Sequence, residues 1–305
     1  MEKQLLLILN PCAGQRRANR MLPEIIRTFW DFGYRCVTYV TAQSGDPTRY
    51  LAEHAGEFER VVCIGGDGTL NETIAGVLQS GVDLPIGYIP AGTTNDYANS
   101  IGLSSDVLQA ARDAAGGEIQ RLDVGSFNGR YFSYTASCGA FTRTSYSTPQ
   151  SLKNTLGHLA YILEGIKDLP SIRPYHLRVE TESSVLEDDF IFCAITNSTS
   201  VGGILKLDKE LVSLNDGLFE VMLIRSPEVA IQLTSIIHGI TAMDLPNEMV
   251  HFFEAGQIRV TSDEDIEWTL DGERAEGGSV AEMRNLHSAI QIVLPEHASE
   301  GEEEA

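Results

Sequence analysis

The chain is 305 residues long and carries a formal net charge of −21 at pH 7, with 43% hydrophobic and 21% charged residues. This is an ordinary globular composition with enough length for two cores. The balance stays acidic even without the C-terminal glutamates Glu296, Glu300, Glu302, Glu303 and Glu304, which argues against nucleic acid as a partner and against broad adsorption to anionic lipid.

In chain order, residues 5–9 form a continuous apolar run suited to a central strand, closed by Asn10, Pro11 and Gly14. Met21, Leu22, Ile25, Ile26, Phe29 and Trp30 then recur at helical spacing, with Gly33 as the stop. A second strand is expected over 34–41, and Asp46-Pro47 reads as cap and first residue of the next helix. The run 61–64 is a third strand, broken by Gly65, Gly66 and Gly68. A helix should follow, because Thr69 and Glu72 stand in capping-box spacing ahead of Ile74, Ala75, Val77 and Leu78. A fourth strand over 84–90 leads into the loop 91–96, a short helix and a further helix over 106–115. Strands alternating with helices predict a parallel sheet covered on both faces, whose ligands lie beyond the carboxyl ends of the strands. Three glycine-bearing loops, 10–14, 65–71 and 91–96, fall at such ends.

From about Leu122 the pattern changes to strands over 124–134, 177–181, 190–196, 218–224, 258–261, 266–270 and 289–294. These predict a mainly antiparallel β-sandwich domain. Two helices interrupt it. One carries Leu152, Leu156, Leu159, Ile162, Leu163 and Ile166, an apolar stripe that suits either packing or a lipid-facing role; the other starts at Ser226-Pro227. The fold class is therefore α/β: a parallel-sheet domain over 1–123, to which the segment after about 295 can return, and a β-rich domain over 124–294, with the active site in the cleft between them. Residues 296–305 form an acidic tail.

The cysteines Cys12, Cys36, Cys63, Cys138 and Cys193 are odd in number and include no C-x-x-C pair, and the histidines show no H-x-x-x-H spacing. A reducing, cytosolic compartment is expected. The N-terminal apolar run is too short for a signal peptide, and no stretch approaches bilayer-spanning length. A lipid substrate would have to be met from outside the membrane.

The stretch 61–72, VVCIGGDGTLNE, organises the chemistry. Strand, glycine turn and helix start aim backbone N–H groups and a positive helix end at one point, which suits a phosphate. Asp67 within that turn would repel polyphosphate unless a cation or a transferable proton intervened, so it points to magnesium or base chemistry. The stretch fits neither G-x-G-x-x-G nor G-x-x-x-x-G-K-[ST].

Asn10-Pro11-x-x-Gly14, Gly65-Gly66-Asp67-Gly68-Thr69, Pro90-x-Gly92-Thr93-x-Asn95-Asp96, Asn215-Asp216-Gly217-Leu218 and Leu270-Asp271-Gly272-Glu273 stand in this order. In this the chain resembles the diacylglycerol kinase catalytic-domain family, and most of all its soluble bacterial members of the DgkB and YegS type. The resemblance implies an ATP- and magnesium-dependent kinase that phosphorylates the free hydroxyl of diacylglycerol to give phosphatidic acid. A kinase of another lipid alcohol, such as a sphingoid base or ceramide, and a non-catalytic nucleotide-binding regulator are the alternatives on the same scaffold. Also implied are transient contact with a membrane surface from the cytoplasm and, as in many relatives, a homodimer.

The resemblance assigns the nucleotide site to Asn10, Gly14, Thr41, Gly65, Gly66, Asp67, Gly68, Thr69, Asn71, Glu72 and Thr94. Thr41 also reads as a plain strand-end hydroxyl. Asp67, Asp96 and Asp123 match aspartates of a water-bridged network toward magnesium; taken alone, Asp96 suits a helix cap and Asp123 a turn. A structural magnesium is implied at Asp216 with the backbone carbonyls of Ser213 and Leu218, where the residues alone suggest a hairpin turn. Asp271 and Glu273 are candidates for the general base, with Glu273 preferred and Asp271 as its orienting or magnesium-side partner. Their i, i+2 spacing puts both on one side if the strand continues, so the residues alone do not choose between them. Cys12, Ala13 and Gln15 depart from the small polar or basic residues of relatives, and Arg16, Arg17 and Arg20 offer a local basic patch instead.

Overall fold

The computed structural model describes residues 3–14, 17–139, 173–201, 205–206, 212–242 and 244–296. It forms two compact units, one running to Leu122 and resuming at Ser288, the other spanning Asp123–His287. The helix expected over 152–166, Gln15, Arg16 and the acidic tail from Ser299 lie outside the described residues.

The first unit contains β1 (Lys3–Leu9), α1 (Arg17–Arg20), α2 (Leu22–Asp31), β2 (Tyr34–Val40), α3 (Asp46–His54), β3 (Arg60–Gly65), α4 (Asp67–Ser80), β4 (Ile86–Pro90), α5 (Asp96–Ser100) and α6 (Val107–Gly116). Its strands pair in parallel in the order β4-β3-β1-β2. Every residue of β3 and β4 is buried, the pattern of parallel strands covered on both faces. Leu5, Leu7, Leu9, Val62 and Ile64 pack with Ile25 and Phe29 of α2 and with the alanines of α6. The alternate residues Leu6, Ile8, Val61 and Cys63 are buried on the opposite face. There α4 packs against α3, and Gly76 makes this possible, since a β-carbon on it would stand 2.7 Å from Leu51 Cβ. The buried Arg60 donates to the carbonyls of Ala114 (2.6 Å) and Ala115 (2.8 Å), closing the last turn of α6 with a cation.

The second unit is antiparallel. It comprises the second half of β5 (Glu118–Phe127), then β6 (Arg130–Phe132), β7 (Thr135–Gly139), β8 (Tyr175–Thr181), β9 (Val185–Thr196), β10 (Ser200–Val201), β11 (Leu205–Lys206), β12 (Phe219–Arg225), α7 (Ala230–Ala242), β13 (Val250–Ala255), β14 (Gln257–Ser262), β15 (Glu267–Leu270), β16 (Glu273–Glu276) and the start of β17 (Val280–Leu294). β9 is central and pairs with β7, β8 and β12. One cluster fills the sandwich around Phe127, Phe132, Phe219 and Trp268. A second joins Phe192, Met222 and Val250 of the sheet to Ile236 and Ile240 of α7.

Several expectations change in detail. The strand expected over 124–134 is a hairpin, because Asn128 and Gly129 take φ of 47° and 81° and reverse the chain. The strand expected over 289–294 within the second domain is the end of β17, and Ile292 pairs in parallel with Ile86 of β4 in the first unit. Asp46 does not cap α3. It is the first residue of that helix, after Gly45, and its Oδ2 accepts the upstream N–H groups of Ala42 (2.8 Å) and Gln43 (3.0 Å). The helix expected from Ser226 starts at Ala230, after Gln232 Oε1 has accepted the N–H groups of Glu228 and Val229.

Candidate active site

In the first unit, β3 ends at Gly65 and the chain passes through the extended Gly66 straight into α4 at Asp67. The N–H groups of that first turn have no acceptor within the helix, and the positive helix end adds to their pull on an anion. The three glycine loops meet at backbone contact. A β-carbon on Gly92 would stand 2.6 Å from Gly66 Cα and one on Gly14 2.3 Å from the Ala91 carbonyl oxygen, and one on Gly65 would stand 2.6 Å from Thr69 Cβ within its own loop. Ala91 N–H donates to the Gly65 carbonyl at 2.7 Å. Only glycine lets these loops approach so closely.

Side chains fasten the same loops. Asn10 Nδ2 donates to Thr69 Oγ1 at 3.0 Å, and Asn10 Oδ1 accepts Cys12 N–H at 2.9 Å. The capping box expected of Thr69 and Glu72 is not formed. Gly66, three residues earlier, is already the N-cap of α4, the Thr69 hydroxyl is taken by Asn10, and Glu72 Oε1 accepts from Ser44 Oγ at 2.6 Å. Thr48 Oγ1 donates to the Glu72 carbonyl at 2.8 Å. Thr41 N–H donates to the Leu9 carbonyl at 2.9 Å, one residue beyond β2. The loop after it is closed by Asp46, whose carboxyl is held below its ordinary range by the N–H groups of Ala42 and Gln43. Asn71 is half-buried on α4, and Thr94 is exposed.

Asp67 joins two loops directly. Its Oδ2 accepts the N–H of Asp96 at 3.1 Å and its Oδ1 that of Tyr97 at 3.3 Å. Asp96 therefore begins α5 and does not cap it; the N-cap position belongs to Asn95, in the left-handed region. The Asn95 side chain bridges Gly92 N–H (2.9 Å) and the Gly92 carbonyl (3.1 Å). Burial, and then the Asp67 carboxylate, push the Tyr88 phenol upward, so it stays a neutral donor toward Asn95 Oδ1 at 3.4 Å. Burial pushes the Cys63 thiol up to about 12, which makes it an inert core residue.

In the second unit, Asp123 is fully buried. Its Oδ2 accepts Gly217 N–H at 2.7 Å, its Oδ1 stands 3.2 Å from His287 Nδ1, and its own N–H donates to the Leu214 carbonyl at 2.8 Å. It thus ties down the loop that carries Asp216. Asp216 is exposed and accepts Leu218 N–H at 2.9 Å, which defines a local turn and not a hairpin between paired strands. The Leu218 carbonyl accepts from Asn285 Nδ2 at 2.8 Å, and Ser213 Oγ donates to Asn215 Oδ1 at 3.1 Å. Beside this loop lies the buried Glu220, whose Oε2 has no hydrogen-bond partner among the described residues. Burial pushes its carboxyl up to about 8, with the Asp216 and Glu254 carboxylates adding to the effect. An oxygen-only donor set with negative charge in excess fits a hard cation. Among the described residues no group of three or more His, Cys, Asp or Glu side chains could hold a metal, so backbone carbonyls and water would complete any such shell.

The acidic pair of the D-G-E motif is separated by the fold. Leu270 pairs with Glu273, and Asp271 and Gly272 form the two-residue turn between β15 and β16 with φ of 49° and 85°. The strand does not continue through the pair, so the two side chains do not share a side as i, i+2 neighbours. Asp271 is buried; its Oδ2 accepts Ser133 N–H at 2.6 Å, and its Oδ1 accepts Tyr134 and Thr135 N–H at 3.0 and 3.1 Å. Glu273 is exposed. The sequence alone gives no site role to Ser44, Asp46, Asn95, Glu220 or the 133–135 backbone. Of these, Asp46 stands in the local string Gly45-Asp46-Pro47 and Asn95 in the motif that runs from Pro90 to Asp96.

Residues 4–127 match the diacylglycerol kinase catalytic domain, and residues 137–294 match the YegS C-terminal NAD kinase beta sandwich-like domain. The chain is 33% identical over 301 residues to a diacylglycerol kinase of Bacillus subtilis strain 168, covering 98% of each chain. It is 30% identical over 304 residues to a diacylglycerol kinase of Staphylococcus carnosus strain TM300, covering 97% of this chain and 96% of that one. The crystal structure of a diacylglycerol kinase from Bacillus anthracis strain Sterne superposes with a TM-score of 0.73 at 20% identity, over 96% of this chain and 97% of that one, which speaks for the fold.

Proposed function

The chain belongs to the diacylglycerol kinase family of the DgkB and YegS type, and from that premise we propose that it transfers the γ-phosphoryl group of ATP to the free hydroxyl of diacylglycerol, giving phosphatidic acid and ADP. The observation that carries this reading is the backbone contact of the three glycine loops at the start of α4. Loops gathered at the N-terminus of a helix are suited to polyphosphate.

In this reading residues 1–123 hold the nucleotide and 124–294 the lipid. Asn10, Gly14, Gly65, Gly66, Gly68 and Thr69 cradle the phosphates, while Thr41, Asn71, Glu72 and Thr94 border the rest of ATP. Asp67, Asp96 and Asp123 would serve magnesium through bridging water, and the ion would spread the charge of the transferring group. A second ion at Asp216 with the Ser213 and Leu218 carbonyls would steady the loop beside Glu220. Glu273 accepts the hydroxyl proton as the lipid oxygen attacks phosphorus and ADP departs in line. Asp271, with its oxygens committed to three backbone N–H groups, is left to position the turn that presents Glu273. The acidic body and reduced cysteines suit a cytosolic enzyme that visits the membrane only during turnover.

The test is phosphate transfer from labelled ATP to a panel of diacylglycerol, sphingosine, ceramide and NAD in mixed micelles with magnesium. Transfer to diacylglycerol is expected; transfer only to another acceptor, or ATP binding without transfer, would overturn the assignment.

A further inference from the structure

Residues 229–243 contain no Asp, Glu, Lys or Arg, although the chain as a whole has 43 acidic residues and a net charge of −21. This stretch includes α7, which no nucleotide, metal or proton-transfer role uses. One side of α7 is accounted for by packing, because Ile236 and Ile240 are buried against Phe192, Met222 and Val250. The opposite side carries Ile231, Thr234, His238 and Ala242, all exposed. At 100° per residue these four form a single narrow stripe along the helix.

The stripe begins with apolar groups in water. Ile231 is 74% exposed and Val229, just before the helix, 54%, which makes them two of the three most exposed large hydrophobic side chains among the described residues. Carboxylates occur only at its ends, with Glu228 before it and Asp244 near His238 at 4.0 Å. A strongly acidic protein is repelled by anionic head groups over most of its surface. On a face without carboxylates, with an aliphatic tip, that repulsion is reduced and apolar insertion is available. The helix has only 13 residues, too short to cross a bilayer, and its buried side is already committed to the sheet. Contact would therefore be superficial.

We infer that the Val229–Ile231 tip and the outer stripe of α7 are the surface by which the second unit docks on a lipid bilayer. The occupant is a membrane surface containing neutral lipid, and this choice rests on the lipid-kinase reading above. Docking of this kind holds the protein at the interface where a water-insoluble alcohol resides, without any spanning segment.

The experiment is flotation of the full chain with phosphatidylcholine vesicles, with and without diacylglycerol, comparing wild type with Val229→Asp, Ile231→Asp and Val185→Asp. Val185 is 51% exposed on β9 and serves as the control for adding a charge at an exposed apolar site. The two tip variants should lower the vesicle-bound fraction roughly tenfold at unchanged melting temperature, and Val185→Asp should bind as wild type does. Equal flotation of Ile231→Asp and wild type would overturn the surface, as would an equal loss in Val185→Asp. Turnover of a monomeric short-chain diacylglycerol separates the two claims, since Ile231→Asp should retain it. A wild type that floats through this tip yet phosphorylates no lipid would refute the kinase reading and leave the docking surface standing.

Discussion

The carboxylate of Asp67 accepts the backbone N–H of Asp96 at 3.1 Å, so the acidic residue of one glycine loop fixes the helix that follows the next. Charge and architecture share one side chain here. A polyphosphate site needs the loops held at close range, which Asp67 does, and in the proposed function the same carboxylate faces the cation.

Asp67→Ala should reduce turnover at least a hundredfold and lower stability by roughly 0.5–2 kcal/mol, the typical cost of losing a helix cap. Asp67→Asn keeps an oxygen acceptor for the Asp96 N–H and should recover most of the stability without recovering activity. Kinase assays and thermal melts on the two variants check this. Equal activity in Asp67→Asn and wild type would remove the carboxylate from the chemistry.

Asp271 and Glu273 should separate cleanly by readout. Asp271→Ala strips the acceptor from three buried N–H groups and should cost about 2–4 kcal/mol. Glu273→Gln should leave the melting temperature unchanged, since the side chain is exposed, and reduce turnover roughly a hundred- to ten-thousand-fold. Urea titrations and initial rates measure both.

The Asp46 carboxyl is depressed by the N–H groups of Ala42 and Gln43, with Arg49 adding an ion pair. A folded-state value below the ordinary 3.8 means that its contribution is present above that pH and is lost as acid titrates it. The melting-temperature gap between wild type and Asp46→Asn should therefore hold constant down to about pH 4 and close below it. A gap that widens on acidification would contradict this assignment.

Without ATP, magnesium should raise the melting temperature of wild type by mass action on the Asp216 loop. EDTA should reverse the shift, and Asp216→Ala should abolish it. An identical magnesium response in Asp216→Ala would place the ion elsewhere.

Much of the first unit could be read directly from the chain. Parallel strands covered on both faces show as unbroken apolar runs, and β1 and β3 are such runs ending in glycine loops. The second unit was harder. Thr135–Gly139 reads TASCG and carries no alternation, because β7 is flanked by β9 and β15 and tolerates small residues on both faces. β16 reads ERAE and is strand only through its pairing with β15. The Asn128-Gly129 pair is a local turn signal set inside an apolar stretch. In the candidate site, the glycine loops and acidic motifs stand out by spacing, whereas the different settings of Asp271, buried, and Glu273, exposed, depend on a contact to Ser133, 138 residues from Asp271 in sequence. No local pattern encodes such a contact.

The most direct test of the account is magnesium-dependent transfer of labelled phosphate from ATP to diacylglycerol by wild type and Glu273→Gln, each first shown to bind ATP and to melt at the same temperature. The account predicts labelled phosphatidic acid from wild type and almost none from the variant. Equal transfer by both, or none by wild type, would contradict it.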